Sequence, residues 1–290
     1  MRKPIQRVAA IHDLSGFGRV SLSVVIPILS TMGIQVCSLP TAVLSTHTGG
    51  FKHYKFIDLT AYMEGYIAHW KEIGIDFDCI YSGFLGSVNQ IEIVSHFIGD
   101  FARKDTLVVV DPVLGDSGKL YPSMNQVMVK KMRKYIRKAD LITPNYTEVL
   151  FLLDEPYMED PSDNQIKSYL QRLVNMGPSI VIVTSVPVGS SKNITNVIAF
   201  NRDDGRFWKV KCDYIPAYFP GTGDVFTSVL VGSLMQGDSL PIALDRAVQF
   251  ITAAIRASYG HNYPQRDGII LERVLGNLNL PVIVSSYELI

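Results

Sequence analysis

Leu107-Val108-Val109-Val110-Asp111-Pro112-Val113-Leu114-Gly115-Asp116 passes without a break from an unrelieved apolar run to a polar turn. A run with no polar face is expected to be covered on both sides, which is the condition of a strand inside a parallel sheet. The pattern recurs outward along the chain. Residues 8–12 run into Asp13-Leu14-Ser15-Gly16-Phe17-Gly18, and 79–82 into Gly83-Phe84-Leu85-Gly86-Ser87. Residues 140–143 run into Pro144-Asn145-Tyr146-Thr147-Glu148, and 180–184 end in Thr184-Ser185. Residues 35–40 form one further strand candidate. Between these runs lie helical patterns. The clearest begins near Asp58, a candidate N-cap, and carries Leu59, Tyr62, Met63, Tyr66, Ile67 and Trp70 on one face until Gly74. A second covers about 89–103. Alternating strands and helices predict an α/β fold with a parallel sheet.

After Thr184 the pattern changes. Residues 197–200 and 207–211, joined through Asp203, Asp204 and Gly205, predict a hairpin. From Gly223 onward the chain reads as helical over 224–235, 240–258 and 271–279. No repeat, low-complexity tract or Pro/Gly/Ser-rich linker interrupts it, so residues 1–290 are expected to form one domain.

Lys plus Arg and Asp plus Glu each number 27, and 47% of the 290 residues are apolar. Balanced charge argues against a nucleic-acid or anionic-membrane partner, so any phosphate recognition must be local. Cys37, Cys79 and Cys212 are scattered without a CxxC spacing, which predicts reduced thiols. The basic start is broken at once by His12 and Asp13, and no apolar run reaches membrane-spanning length. A soluble cytoplasmic protein is expected.

In open parallel sheets ligands collect where strands end, so the residues following each strand are the candidates for chemistry. The sharpest candidate is Pro220-Gly221-Thr222-Gly223-Asp224-Val225-Phe226, which opens an apolar helix. Glycines ahead of a helix let backbone N–H groups converge on an anion, and an Asp at that point can take the proton of a nucleophilic hydroxyl. The bland alternative is an ordinary helix cap by Thr222 or Asp224. Asp111 and Asp116 can orient magnesium through its waters, or simply stabilise a turn. Asn145 and Glu148 have the spacing of a capping box, with Glu148 also within reach of a metal's hydration shell. His47, in the polar loop 41–51, reads by itself as a structural histidine. The glycines at 16 and 18 lack the acidic ribose partner of a dinucleotide fold, since 19–55 contains no Asp or Glu. Neither a Walker A sequence nor a zinc-type cluster is present.

Taken in register, Ser45-Thr46-His47-Thr48-Gly49, Tyr81-Ser82-Gly83-Phe84-Leu85-Gly86-Ser87, Asp111-Pro112-Val113-Leu114-Gly115-Asp116, Thr143-Pro144-Asn145-x-x-Glu148 and Gly221-Thr222-Gly223-Asp224 resemble the pyridoxal kinase group of the ribokinase-like superfamily. The resemblance implies a three-layer αβα fold whose central, mostly parallel sheet is flanked by helices. It implies ATP-dependent phosphorylation of the hydroxymethyl group of a B6 vitamer in pyridoxal 5'-phosphate salvage. Asp224 matches the family's base, and Gly221, Thr222 and Gly223 its anion hole. Asp13, Val20, Thr48, Gly49 and Phe84 match substrate contacts. Asp111, Asp116, Thr143, Asn145, Glu148, Thr184 and Ser185 match the ATP side, with Asp111 and Glu148 toward Mg2+ and a monovalent cation such as K+ as a further cofactor. Lys119 and Tyr121 match a flap over the nucleotide, and a homodimer is implied. Many family members carry Ser where this chain has Asp13 and Tyr where it has Phe84. An acid beside a pyridine favours a protonated nitrogen, so Asp13 is expected to tilt preference toward an amine-bearing substrate. Two alternatives stay open: a hydroxymethylpyrimidine kinase, in which Cys often stands at the position of Asp224, and a non-catalytic vitamin- or nucleotide-binding protein.

Overall fold

The computed structural model describes residues 4–188, 194–213, 215–281 and 286–290. In chain order, β1 (Arg7–Ser15), α1 (Leu22–Thr31), β2 (Gln35–Leu44), β3 (Phe56–Asp58), α2 (Thr60–Glu72) and β4 (Cys79–Ser82) come first. They are followed by α3 (Val88–Phe101), β5 (Leu107–Val110), β6 (Gly115–Asp116), β7 (Lys119–Leu120), α4 (Gln126–Tyr135), β8 (Leu141–Ile142), α5 (Tyr146–Leu153) and α6 (Asp163–Val174). The chain closes with β9 (Ile180–Pro187), β10 (Ile194–Asn201), β11 (Arg206–Asp213), α7 (Thr222–Met235), α8 (Leu240–Tyr259) and β12 (Tyr287–Leu289). Two compact units result: Met1–Tyr81 with Ile215–Ser285, and Ser82–Tyr214 with Ser286–Ile290.

In the first unit the strand order is β4-β1-β2-β3. β1 and β2 run parallel, from Arg7 opposite Gln35 to Ser15 opposite Leu44, and β3 is antiparallel to β2. Val8, Ala9, Ala10 and Ile11 have no exposed surface, which is why this stretch carries no alternation. Helices α1 and α2 pack on the strands, and α7 packs on both α1 and α8. The register of β1 against β2 slips between His12 and Leu14, so the strand bends where its last residues carry Asp13.

In the second unit the order is β12-β11-β10-β9-β8-β5. β5, β8 and β9 are mutually parallel neighbours, while β10, β11 and β12 add antiparallel pairings on the outside. The expected hairpin is β10–β11, with Val197 opposite Val210. Parallel inner strands with helices packed against them make the α/β class expected from the sequence.

Several boundaries differ. Leu59, not Asp58, occupies the N-cap position of α2, because Asp58 ends β3 and its carboxylate accepts the Thr60 N–H instead. β5 stops at Val110 and β8 covers only Leu141–Ile142, so Asp111 and Thr143 lie in strand-end loops. The third expected helix, 271–279, is two short 3-10 segments, Leu271–Arg273 and Leu275–Asn279. No helix among the described residues is long and apolar enough to cross a membrane.

Candidate active site

Within the first unit, the end of β1, the start of α1 and the start of α7 meet at one carboxylate. α7 opens at Gly221, whose φ of 83° lies in the left-handed region. A Cβ there would stand 2.1 Å from the Arg19 carbonyl oxygen, so only glycine lets this helix end approach the loop after β1. Neither Thr222 nor Asp224 caps the helix. Among the described residues no group accepts from the N–H of Thr222, Gly223 or Asp224, so the positive end of α7 is left open to an anion.

The Asp224 carboxylate turns instead to the loop before α1. Its Oδ2 accepts the Ser21 main-chain N–H at 2.9 Å. Ser21 holds φ 50° and ψ −134°, a glycine-like conformation that costs a non-glycine residue roughly 1–3 kcal/mol. The Ser21 hydroxyl donates to Asp13 Oδ1 at 2.6 Å, and the Ser15 hydroxyl lies 3.5 Å from the other Asp13 oxygen. Asp13 is 6% exposed, and burial raises its carboxyl above the usual range against the two serine hydroxyls. Asp224 keeps 15% of its side chain accessible. Burial pushes its carboxyl up to about 7; the Ser21 N–H opposes this, and the neighbouring Asp13 charge adds to it. A carboxylate poised near neutrality is suited to take a proton and release it.

His12 lies behind this pair, fully buried, with Nδ1 3.9 Å from Asp224 Oδ1 and its ring edge-on to Tyr81 at 4.4 Å. Burial lowers its pKa to about 3, so the ring is neutral. A Tyr81 main-chain group lies near enough to offset part of this, but neither ring nitrogen meets hydrogen-bond geometry with any described group. Such an orphaned polar ring costs about 1–3 kcal/mol.

The polar loop after β2 is fastened to the same unit by His47. Nδ1 accepts the Gly49 N–H at 3.1 Å, which leaves Nε2 to donate to the Arg266 carbonyl at 2.6 Å. Both ring nitrogens are thus engaged by main-chain groups, the arrangement of a structural histidine. Arg19 completes the frame: its N–H reaches the Asp267 carbonyl and its guanidinium pairs with Glu272 at 3.0 Å.

The second unit holds a separate cluster of strand-end residues. Asn145 and Glu148 form the expected capping box at the start of α5. Glu148 also reaches back to the loop after β5, its Oε1 accepting the Leu114 N–H at 2.9 Å while Oε2 takes the Asn145 N–H at 2.8 Å. Asn145 Nδ2 donates to the Gly115 carbonyl at 2.8 Å, and the Thr184 N–H to the Pro144 carbonyl at 3.0 Å. Burial raises the Glu148 carboxyl to about 7, partly offset by its backbone donors, with Asp116 adding to the rise. β6 and β7 make a tight hairpin turning at Ser117 and Gly118, and the Gly118 N–H donates to the Thr147 hydroxyl at 2.9 Å.

The sequence profile described as phosphomethylpyrimidine kinase matches residues 26–268. The chain is 58% identical to a Bacteroides thetaiotaomicron protein assigned to the phosphomethylpyrimidine kinases and crystallised with pyridoxal, covering 99% of this chain and 100% of that one at a TM-score of 0.96. It is 30% identical to the pyridoxal kinase of Lactobacillus plantarum over 95% of this chain and 97% of that one, with a TM-score of 0.86. The chain belongs to the pyridoxal kinase family. It also matches the Arabidopsis thaliana pyridoxal kinase at 30% identity, over 61% of this chain and 57% of that enzyme's length. The shared architecture is the ribokinase-like α/β fold, with its mostly parallel central sheet.

Among the residues matched to pyridoxal kinase positions, Asp13, Val20, Thr48, Gly49, Gly221, Thr222, Gly223 and Asp224 belong to the first unit. Asp13 and Asp224 are joined through Ser21, Val20 is 7% exposed beside them in sequence, and Thr48 and Gly49 are exposed in the loop held by His47. Phe84, Asp111, Asp116, Thr143, Asn145, Glu148, Thr184 and Ser185 belong to the second. There, Asn145, Glu148 and Thr184 are connected by the bonds above, Thr143 is 3% and Asp111 6% exposed, and Ser185 has a left-handed φ of 56°. The sequence reading passed over Ser21 and His12. Ser21 belongs to no motif singled out in the sequence, and His12 reads there only as a break in an apolar run. The available signal for His12 was a polar side chain directly after the wholly apolar run 8–11.

Two outcomes follow from this geometry. Gly221→Ala is expected to lower unfolding stability by at least about 2 kcal/mol. Gly237→Ala, with a similar φ of 95° but nothing within 4 Å of the added carbon, isolates the backbone component and is expected to cost less. Equal losses in denaturant titrations would show that the helix does not need its close approach to Arg19. For Asp224, a folded-state pKa above the unfolded one means the native state binds the proton more tightly. Its ionisation therefore removes stability as pH rises from the ordinary carboxylate range toward about 7. Asp224→Asn should raise Tm relative to wild type by ~2–6 °C more at pH 8 than at pH 5; a gain no larger at pH 8 contradicts the buried-charge assignment.

Proposed function

We propose that the protein transfers the γ-phosphoryl group of ATP to the 5'-hydroxymethyl group of a B6 vitamer: pyridoxal, pyridoxine or pyridoxamine. The observation that carries this reading is the Asp224 carboxylate, raised to about 7, in the first turn of a helix whose leading N–H groups have no acceptor among the described residues. Asp224 takes the hydroxyl proton as the alcohol oxygen attacks the γ-phosphorus. The bond from that phosphorus to the β-bridging oxygen breaks, and ADP leaves with the electron pair. The Thr222 and Gly223 amides, admitted by the turn at Gly221, stabilise charge on the moving phosphoryl group.

Residues of the second unit hold the nucleotide in this reading: Asp111, Asp116, Thr143, Asn145, Glu148, Thr184 and Ser185, with the β6–β7 hairpin bearing Lys119 as the flap. Among the described residues no group of three or more His, Cys, Asp or Glu side chains makes a metal site. That donor set fits Mg2+ carried on nucleotide phosphates and water, with Asp111 and Glu148 acting through its hydration shell. Both Glu148 oxygens already accept main-chain N–H groups, so its direct contribution is to shape the loop. Bound Mg2+ supplies charge neutralisation of the phosphates. The same reading takes residues 1–290 as a single kinase domain working as a cytoplasmic homodimer. The three cysteines are unbridged, in keeping with a reducing compartment. Phe56, Ile57, Tyr62 and Tyr66, exposed on β3 and α2, supply apolar surface for self-association.

A hydroxymethylpyrimidine kinase is the second reading, favoured by the description of the matching profile. A coupled ADP-release assay with the three vitamers and hydroxymethylpyrimidine separates the two. Turnover is expected with the vitamers; turnover with the pyrimidine alone, or none, overturns the proposal. Asp224→Asn is expected to lower kcat by about two to four orders of magnitude while ATP affinity holds; full turnover would place the base elsewhere. Asp13→Ser is expected to lower kcat/KM for pyridoxamine about tenfold relative to pyridoxine, the scale of one charge-assisted hydrogen bond. An unchanged vitamer ranking removes Asp13 from substrate selection.

A further inference from the structure

Ser21 is 5% exposed and holds backbone angles that suit glycine. Its main chain would do the same work without a side chain. The N–H binds Asp224 Oδ2, and the carbonyl accepts the N–H groups of Val24 and Val25, starting α1. Only the hydroxyl requires serine, and among the described residues it bonds Asp13 Oδ1 alone, at 2.6 Å. The other hydroxyl near Asp13, that of Ser15, is at 3.5 Å, too long to fix the carboxylate. A strained residue retained for a single short bond marks that bond as the purpose of the side chain.

We infer that Ser21 is a positioning residue that ties the two buried carboxylates into one unit, its main chain orienting Asp224 as the base and its hydroxyl orienting Asp13 toward a cationic nitrogen of the substrate. The inference rests on the reading of Asp224 as base and Asp13 as a vitamer contact. Among the described residues, the side chains that contact the two Asp13 oxygens are the uncharged hydroxyls of Ser21 and Ser15. With one oxygen engaged by Ser21, the orientation of the other is set, and the protonated amine of an amine-bearing substrate supplies the positive partner. The division of labour is specific. Main-chain contacts serve the chemical step, and the hydroxyl serves recognition of charge.

Ser21→Gly and Ser21→Ala test it in the full-length protein. Both remove the hydroxyl and keep the N–H, while only glycine relieves the backbone. KM for pyridoxamine is expected to rise about tenfold in both variants, the scale of a hydrogen bond to a charged group. KM for pyridoxine should change less than about threefold, and kcat for both substrates should stay within about threefold, because the amide on Asp224 remains. Tm should fall in the alanine variant and be held or raised in the glycine variant. If pyridoxamine KM is unchanged in both variants, the inference is wrong. If the defects track Tm, with glycine normal and alanine impaired for every vitamer, the serine is only structural and the inference is again wrong. Asp224→Asn in the same assays separates the two levels: an inactive Asn variant beside wild-type Ser21 variants defeats this inference alone, whereas an active Asn variant defeats the reading beneath it.

Discussion

A carboxylate held largely away from water, beside amides with nothing to bind, sets the terms for the first unit. Among the described residues Asp224 accepts one hydrogen bond, from the Ser21 N–H, where a solvated carboxylate would have several. Burial without matching donors disfavours the charged form, which is what places its pKa near 7 rather than in the ordinary carboxylate range. Among the described residues no side chain caps the amides ahead of it, on Thr222 and Gly223. Gly221 starts α7 as a left-handed residue pressed against the Arg19 carbonyl. The loop that receives it is fixed in turn by Arg19 bonding to Asp267 and Glu272.

Several features around this site are unfavourable to folding. Ser21 is strained, neither ring nitrogen of buried His12 meets hydrogen-bond geometry with a described group, and the Asp13 charge adds to the rise of Asp224. The core supports them: Val8, Ala9, Ala10 and Ile11 on β1 and Leu22, Val24 and Val25 on α1 are all buried within the same unit. The second unit shows a milder version. Glu148 is buried and raised to about 7, yet it is surrounded by main-chain donors, so its carboxylate organises a loop instead of standing free.

Much of this was legible in the sequence because the physics is local. Apolar runs ending in polar turns announce buried parallel strands, and Gly-Thr-Gly-Asp before an apolar helix announces an open helix end. The Asn145 and Glu148 spacing announced a capping box, which is present. What the sequence did not disclose depends on non-local approach. Ser21 looks like any small polar residue ahead of a helix until Asp224, some two hundred positions later, is brought to its N–H. His12 reads as a strand terminus until the bulge after it shows that β1 continues to Ser15. The cap at Asp58 failed because a short edge strand, β3, claimed that residue first. The last expected helix broke into 3-10 segments, whose existence no periodicity distinguishes from a single α-helix over so short a span.

The most direct test is the ionisation of Asp224 itself, followed by carbon-13 NMR of its carboxyl group in the full-length protein and assigned by loss of the signal in Asp224→Asn. Titration with a midpoint near 7, shifting downward when Asp13 is replaced by Asn, is the result this account requires. A midpoint in the ordinary carboxylate range, indifferent to Asp13, would mean that the group is solvated and uncoupled, and would contradict it.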